Sequence, residues 1–301
     1  MTATGRGRRH APLHDIAGPL TPYLYLAPTA ILTVVFVIGP FLANIYYSLA
    51  AWDGFGPMRF IGLGNYIRLM TDARFHAALI TNLTYVATSA LIPTVFGLGL
   101  ASMLARTRVR GMRIFQTVYF LPQVVSAIAL GTVFRWIYAP HFGVLDHLLR
   151  VAGLQGWRRP WLGSPETAPL ATGFIGTWAW LGFCVLIFVA GIQKIDEQLY
   201  EAAKLDGAGS WRQFRHVTLP ELRFEIVVVL VITAIRALGG YVFALVSVTT
   251  GGAHGTRPIG LYAYQLAFVE GQLGYASAVV MALTLLILAV SGLSVLVGER
   301  R

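Results

Sequence analysis

Cysteine is almost missing from this chain of 301 residues: Cys184 stands alone inside an apolar run. A single thiol excludes a disulfide framework and any Cys-based metal site, and its setting marks it as a buried, inert group. Charge is scarce as well. Asp, Glu, Lys and Arg make up 12% of the residues, where soluble domains run near about a quarter. A soluble multi-domain protein is thereby excluded. No glycine-rich loop ends in Lys followed by Ser or Thr, so the chain itself is expected to bind no ATP. No carboxylate pair, Cys/His cluster or Ser/His/Asp set stands out, and the seven histidines are scattered. His216 reads as a surface residue. Neither a catalytic residue nor a metal ligand is expected. Acidic residues are missing from the middle of every apolar run, Glu225 lying near an end. There is no strong internal repeat and no low-complexity tail.

What the chain does have is apolar length: 56% of its residues are hydrophobic. Six runs, about 23–50, 77–105, 114–138, 169–192, 222–249 and 274–297, each exceed the roughly 17 residues needed to cross a bilayer core. The expected fold is therefore an all-α membrane protein with six transmembrane helices. The run from Tyr23 follows a polar stretch with Arg6, Arg8 and Arg9 and has no small-residue cleavage site, so it reads as an uncleaved first span. Pro40, Pro93 and Pro122 fall within or near the ends of spans and are expected to kink them.

Basic residues orient the spans. One set comprises the N-terminal arginines, Arg106, Arg108, Arg110, Arg113, Lys194, Lys204, Arg212, Arg215, Arg223, Arg300 and Arg301. The other comprises Arg59, Arg68, Arg74, Arg150, Arg158, Arg159 and Arg257. The count is fourteen against seven, with Arg135 and Arg236 inside spans. The larger set is expected in the cytoplasm, which puts both termini inside and divides the chain into an N-terminal segment 1–22, a transmembrane part 23–297 and a tail 298–301. Much of the formal charge of +10 is then a matter of topology, and nucleic acid is not needed as a partner. On the other side, Phe60 to Met70 reads as a short interfacial helix. The segment 139–168, with Trp157 and Trp161, reads as a loop with belt aromatics.

Between the fourth and fifth runs lies a polar island, 195–220. Ile195 to Leu205 predicts a helix capped by Asp196, with Glu197 in its first turn. Leu199, Ala202, Ala203 and Asp206 share one face. Gly207 and Gly209 break the helix on either side of Ala208. Ser210 as cap and Gln213 three residues on predict a second helix, with Trp211, Phe214 and Val217 on its apolar side. Pro220 is expected to turn the chain toward the next span. Two capped helices about a tight bend make a rigid knob, suited to a cleft in a separate protein, with Glu201 offering a carboxylate to a basic group there.

In these residues the chain resembles the permease subunits of bacterial ABC importers. Glu201-Ala202-Ala203, Gly207 and Leu219-Pro220 stand at the spacing of that family's cytoplasmic coupling loop. Asp206-Gly207-Ala208, Trp211 and Phe214 are similar to the carbohydrate subfamily related to the maltose and glycerol-phosphate permeases. So are Gly62-Leu63-Gly64-Asn65-Tyr66, Phe120-Leu121-Pro122, Arg135-Trp136, Phe142-Gly143, Gly251-Gly252 and Gly274-Tyr275-Ala276-Ser277-Ala278. The chain departs from the pattern at Asp196, where Pro is common, and at Ala244, where Asp is. The resemblance implies a type I importer permease of the bacterial inner membrane, with Glu201, Ala202, Ala203, Asp206, Gly207, Ala208, Leu219 and Pro220 engaging an ATPase. It implies as partners a second permease subunit, two cytoplasmic ATPase subunits that carry ATP and magnesium, and an extracytoplasmic binding protein delivering a sugar-like solute.

Sugars are held by aromatic faces and dense hydrogen bonds. The in-span residues of that chemistry are Asn82, Tyr85, Gln123, Ser126, Trp178, Trp180 and Tyr241, joined by Arg236 near mid-membrane, where a cation must face protein or water. Helix packing is the competing role for each, and the first role expected of Gly173, Gly176, Gly182, Gly239 and Gly240. An ion-coupled secondary carrier is the alternative function; it would need carboxylates within the membrane and inverted repeats.

Overall fold

The computed structural model describes residues 21–105, 112–239 and 257–299. Among the described residues, four helices are long and apolar enough to cross a membrane: α1 (Tyr23–Ser48), α3 (Ala73–Leu104), α7 (Ala168–Ile192) and the apolar stretch Leu273–Gly292 of α12, a helix that spans Leu273–Glu299. They match the expected first, second, fourth and sixth runs. The expected third run is not one helix. It is a bent pair, α4 (Met112–Val124) and α5 (Ala127–Ile137), meeting at 105°. The break has a local cause: Pro122 lacks an N–H donor, and Ser126 is extended at φ −55°, ψ 136°, so the hydrogen-bond ladder cannot continue. The expected fifth run is described as far as Gly239, in the 17-residue helix α10 (Arg223–Gly239).

Shorter elements join these. A ribbon of β1 (Ala50–Ala51) and β2 (Arg59–Phe60) pairs antiparallel, Ala50 opposite Phe60, and these four are the strand residues among the described ones. The expected interfacial helix is α2 (Gly64–Thr71); Phe60 belongs to the ribbon instead. Asn65 in α2 is buried and donates to the carbonyls of Ser48 and Ala50, both at 2.9 Å. It thereby fastens the end of α1 to the ribbon. The segment 139–168 contains a further helix, α6 (Val144–Val151), beyond the loop expected there. Another unforeseen helix, α11 (Ile259–Phe268), precedes α12.

Three π turns follow one rule. Val34–Ile38, Ala87–Leu91 and Phe214–Thr218 each end two residues before a proline: Pro40, Pro93 and Pro220. A proline ring clashes with the carbonyl four residues back. Widening the turn there moves that carbonyl aside, so the helix bulges and continues. At Pro220 the helix accordingly runs on through Leu219–Glu221 before the chain passes to the next run, where α10 starts at Arg223.

The centre of the bundle is α7, which packs on α3, α4, α5 and α10. Close approach depends on small residues. A Cβ on Gly173 would lie 1.9 Å from the Thr88 hydroxyl, one on Gly176 would lie 2.2 Å from that of Ser89, and one on Gly182 would lie 1.8 Å from the Tyr119 carbonyl oxygen. Across this seam Ser89 donates to the Gly173 carbonyl at 3.0 Å and Thr177 to the Thr88 carbonyl at 2.6 Å. Small residues with interhelical hydroxyl bonds are how helices associate without a hydrophobic drive. The packing role expected of these three glycines holds. Gly239 makes an ordinary contact, 3.8 Å to Ile287, and Gly240 lies outside the described residues.

One polar node ties α3 to α11 and α12 at the end of the bundle opposite the polar island 195–220. The Asp72 carboxylate caps α3 by accepting from the Arg74 N–H at 2.8 Å, and it also accepts from the hydroxyls of Tyr262 and Tyr275, the latter at 2.6 Å. Burial pushes this carboxyl up, but the two hydroxyls and the backbone N–H groups outweigh it and hold it below its ordinary value. A depressed carboxyl stabilises the fold above its unfolded pKa and loses that contribution as pH falls through the folded one. Asp72→Asn is therefore expected to cost about 1–3 kcal/mol at neutral pH. Thermal unfolding in detergent checks this, and the gap to wild type should close below about pH 4.

Candidate functional site

The polar island folds as a hairpin of helices. α8 (Glu197–Leu205) is capped by Asp196, whose carboxylate accepts from the Gln198 N–H at 3.0 Å. Its other end closes on Gly207 at φ +75°. There the Ala208 N–H reaches the Ala203 carbonyl at 2.9 Å and the Gly207 N–H reaches that of Lys204 at 3.0 Å. These are the paired bonds of a Schellman turn, which needs a left-handed residue that glycine adopts freely. The second arm begins with α9 (Ser210–Gln213) and runs on through the π turn.

Its cap differs from the expected one. Gly209 takes the cap position in extended conformation, and Ser210 is the first helical residue. Gln213 is then one place too far along for a capping box. Its side chain is buried and donates to the Ala208 carbonyl at 2.8 Å instead, bracing the bend. Tyr200 and Thr218 join their hydroxyls across the two arms at 2.9 Å. No sequence period announces either contact; the residue types carry the only signal.

The hairpin has an inner and an outer side. Ile195 and Phe214 pack against a core of Phe188, Ile192 and Leu222. Outward, Glu201, Ala202, Asp206, Gly207, Leu219 and Pro220 are exposed, and Ala203 and Ala208 are half-buried. Leu205 is 89% exposed and Trp211 71%. Two carboxylates, the small residues Ala202 and Gly207, and the large apolar side chains of Leu205 and Trp211 thus stand on a braced projection.

The second constellation lies midway along the bundle. Trp180 is 12 residues before the end of α7 at Ile192, about 18 Å of helical rise. Arg236 is 13 residues beyond the start of α10 at Arg223, about 20 Å. The two therefore share a depth, and the Arg236 guanidinium lies over the Trp180 ring at 5.7 Å. Trp180 is buried; Arg236 is exposed on the outside of the chain. The α4–α5 break is adjacent, because Tyr119 abuts Gly182 and Leu130 packs on Ile175, Ala179 and Trp180. Gln123, half-buried, and Ser126, exposed, flank that break. Trp178 is half-exposed and meets Phe134 edge-on at 5.5 Å.

The other expected path residues sit apart. Asn82 is fully buried: it donates to the Leu238 carbonyl at 3.2 Å and accepts from the Ile259 N–H at 2.7 Å, joining α3, α10 and α11. Tyr85 is buried with its hydroxyl beside that of Thr172, the pair poorly aligned for a hydrogen bond. Tyr241 lies outside the described residues. A cavity of about 670 Å³ between α1, α11 and α12 is lined by Pro40, Asn44, Tyr47, Tyr264 and Phe268 among others, and by none of these candidates. Among the described residues no cluster of His, Cys, Asp or Glu is arranged to hold a metal ion.

Known proteins share this architecture. The chain is 38% identical over 276 residues to the probable ABC transporter permease protein YurN of Bacillus subtilis, covering 90% of this chain and 94% of that one. It is 32% identical to the diacetylchitobiose uptake system permease protein NgcF of Streptomyces coelicolor, covering 98% and 86% of the two chains. In a crystal structure of a bacterial ABC transporter that imports the acidic polysaccharide alginate, one chain superposes with a TM-score of 0.79 at 25% identity, covering 95% of this chain and 98% of that one. Residues 93–301 match the family described as the binding-protein-dependent transport system inner membrane component. With several helices of membrane-spanning length and a braced hairpin between α7 and α10, the chain belongs to that family of ABC importer permeases.

Proposed function

We propose that the chain is one of two permease subunits of an ATP-driven importer for a sugar or related solute, delivered by an extracytoplasmic binding protein. Six spans cross the bacterial inner membrane, with 222–249 as the fifth. Both termini and the hairpin face the cytoplasm, as the distribution of basic residues requires. Two separate ATPase subunits bind ATP and magnesium, and Glu201, Ala202, Ala203, Asp206, Gly207, Ala208, Leu219 and Pro220 form the knob they grip. When ATP draws those subunits together the knob moves with them, and the spans rock between inward- and outward-facing states. The observation that carries this reading is the hairpin, whose Schellman turn and Gln213 brace let it transmit a displacement instead of absorbing it.

The sugar is supported by relatives. They include NgcF and the trehalose/maltose transport system permease protein MalF of Thermococcus litoralis, 30% identical over 282 residues. Arg236 lines the path at mid-depth, held by Trp180, with Gln123, Ser126 and Trp178 about the break; Asn82 and Tyr85 support it from within the bundle. In proteoliposomes, uptake of the sugar bound by the partner binding protein should require ATP on the ATPase side. It should also persist when proton and sodium gradients are collapsed. Uptake abolished by collapsing a gradient while ATP is plentiful would contradict this function and favour an ion-coupled carrier.

A further inference from the structure

We infer that the solute is an anion-bearing sugar, a uronate or a sugar phosphate, whose negative group is received by Arg236. The inference rests on reading Arg236 as path lining. A guanidinium about 20 Å along its helix lies in the hydrocarbon layer, where a cation needs a counter-charge or water. Two other arginines of the chain have theirs: Arg74 meets Glu270 and Arg158 meets Asp146, each at 2.8 Å. Arg236 has none among the described residues. On its own helix the only acid is Glu225, 11 residues away or about 16 Å, beside Gly191. α7 contains no acidic residue. The segment 240–256, which follows α10, contains no Asp or Glu.

What Arg236 has is the Trp180 ring. Trp180 is 4% exposed, so it is a positioning residue: it holds the cation by its π face without itself reaching the solute. A guanidinium resting on an aromatic face keeps its in-plane N–H groups for a carboxylate or phosphate, in the fork geometry that a single ammonium cannot reproduce. Arg236 is exposed on the outside of the chain, where a solute passing between two permease subunits would travel. A charge placed there without a fixed partner gives the path a preference for an anion.

The test uses the whole complex with its binding protein in proteoliposomes and a fixed panel of labelled solutes. The neutral half is maltose, lactose, cellobiose and N,N′-diacetylchitobiose. The anionic half is glucuronate, a galacturonate disaccharide, glucose 6-phosphate and glycerol 3-phosphate. Uptake should be confined to the anionic half. Arg236→Gln should lower it by about tenfold or more, since a site built for a polar group discriminates strongly when the pairing is lost. Arg236→Lys should restore part of the loss, and both variant complexes should elute intact. A neutral sugar carried efficiently, or anion uptake unchanged in Arg236→Gln, would overturn the inference. So would a complex that falls apart on that substitution, which would assign Arg236 to a carboxylate of the second subunit. Silence across the whole panel would contradict the sugar reading itself, and this inference with it.

Discussion

Gly182→Val is expected to abolish the folded permease. A Cβ at this position would lie 1.8 Å from the Tyr119 carbonyl oxygen, 2.5 Å from its carbon and 3.0 Å from the Phe120 nitrogen. These are backbone atoms, so no rotamer change relieves the clash; α4 would have to move bodily from α7. Overpacking a core costs typically about 1–3 kcal/mol where side chains can yield, and more where they cannot. Against a net stability of about 5–15 kcal/mol, separating the α4–α7 seam leaves little. The bend between α4 and α5 would lose its support with it. Gly99 provides the contrast: nothing lies within 4 Å of a Cβ there, and Gly99→Ala should express and purify as wild type. Monodisperse yield after detergent extraction compares the two.

Glu201→Lys is expected to release the ATPase subunits while leaving the permease folded. Glu201 is exposed on α8, and no carboxylate-bearing ion pair within the described residues includes it. Reversing its charge therefore costs the isolated chain nothing in contacts. Across an interface the change is different in kind: it removes an attractive pair and places two cations face to face, weakening association by about a hundredfold or more. Gly207→Val should produce a similar loss by another route. At φ +75° a β-branched residue is strongly disfavoured, so the turn would open and Leu205 and Trp211 would shift relative to Glu201. The two variants should differ in thermal stability, the second being lower, and agree in losing the motor.

The long apolar runs made four of the expected spans legible among the described residues, because about 20 apolar residues leave few alternatives. The hairpin was legible for a different reason: Asp196, the glycines and the small residues each encode a local backbone choice. What stayed hidden was set by distance or by context. The break after Val124 depends on Ser126 leaving the helical region, a choice its residue type does not force. The π turns could be anticipated only as kinks at Pro40 and Pro93; at Pro220 the chain does pass to the next run, at Arg223, but a bulge first carries the helix past the proline to Glu221. Gln213 was read as half of a capping box with Ser210; that box does not form, because Gly209 takes the cap position and Gln213 braces the Ala208 carbonyl instead. The node at Asp72 joins residues 190 and 203 positions apart, beyond any local pattern. Of the path candidates, Trp180 and Arg236 meet, whereas Asn82 serves as a tie between three helices.

The central claim is that the hairpin around Glu201 couples this chain to a separate motor. The most direct measurement is ATP hydrolysis by the reconstituted complex, with and without the solute-loaded binding protein, for wild type and for Glu201→Lys. The wild type should show solute-stimulated hydrolysis, and the variant should be a folded permease from which the ATPase subunits separate on gel filtration and the stimulation vanishes. A Glu201→Lys complex that stays intact and responds to solute as the wild type does would contradict that claim.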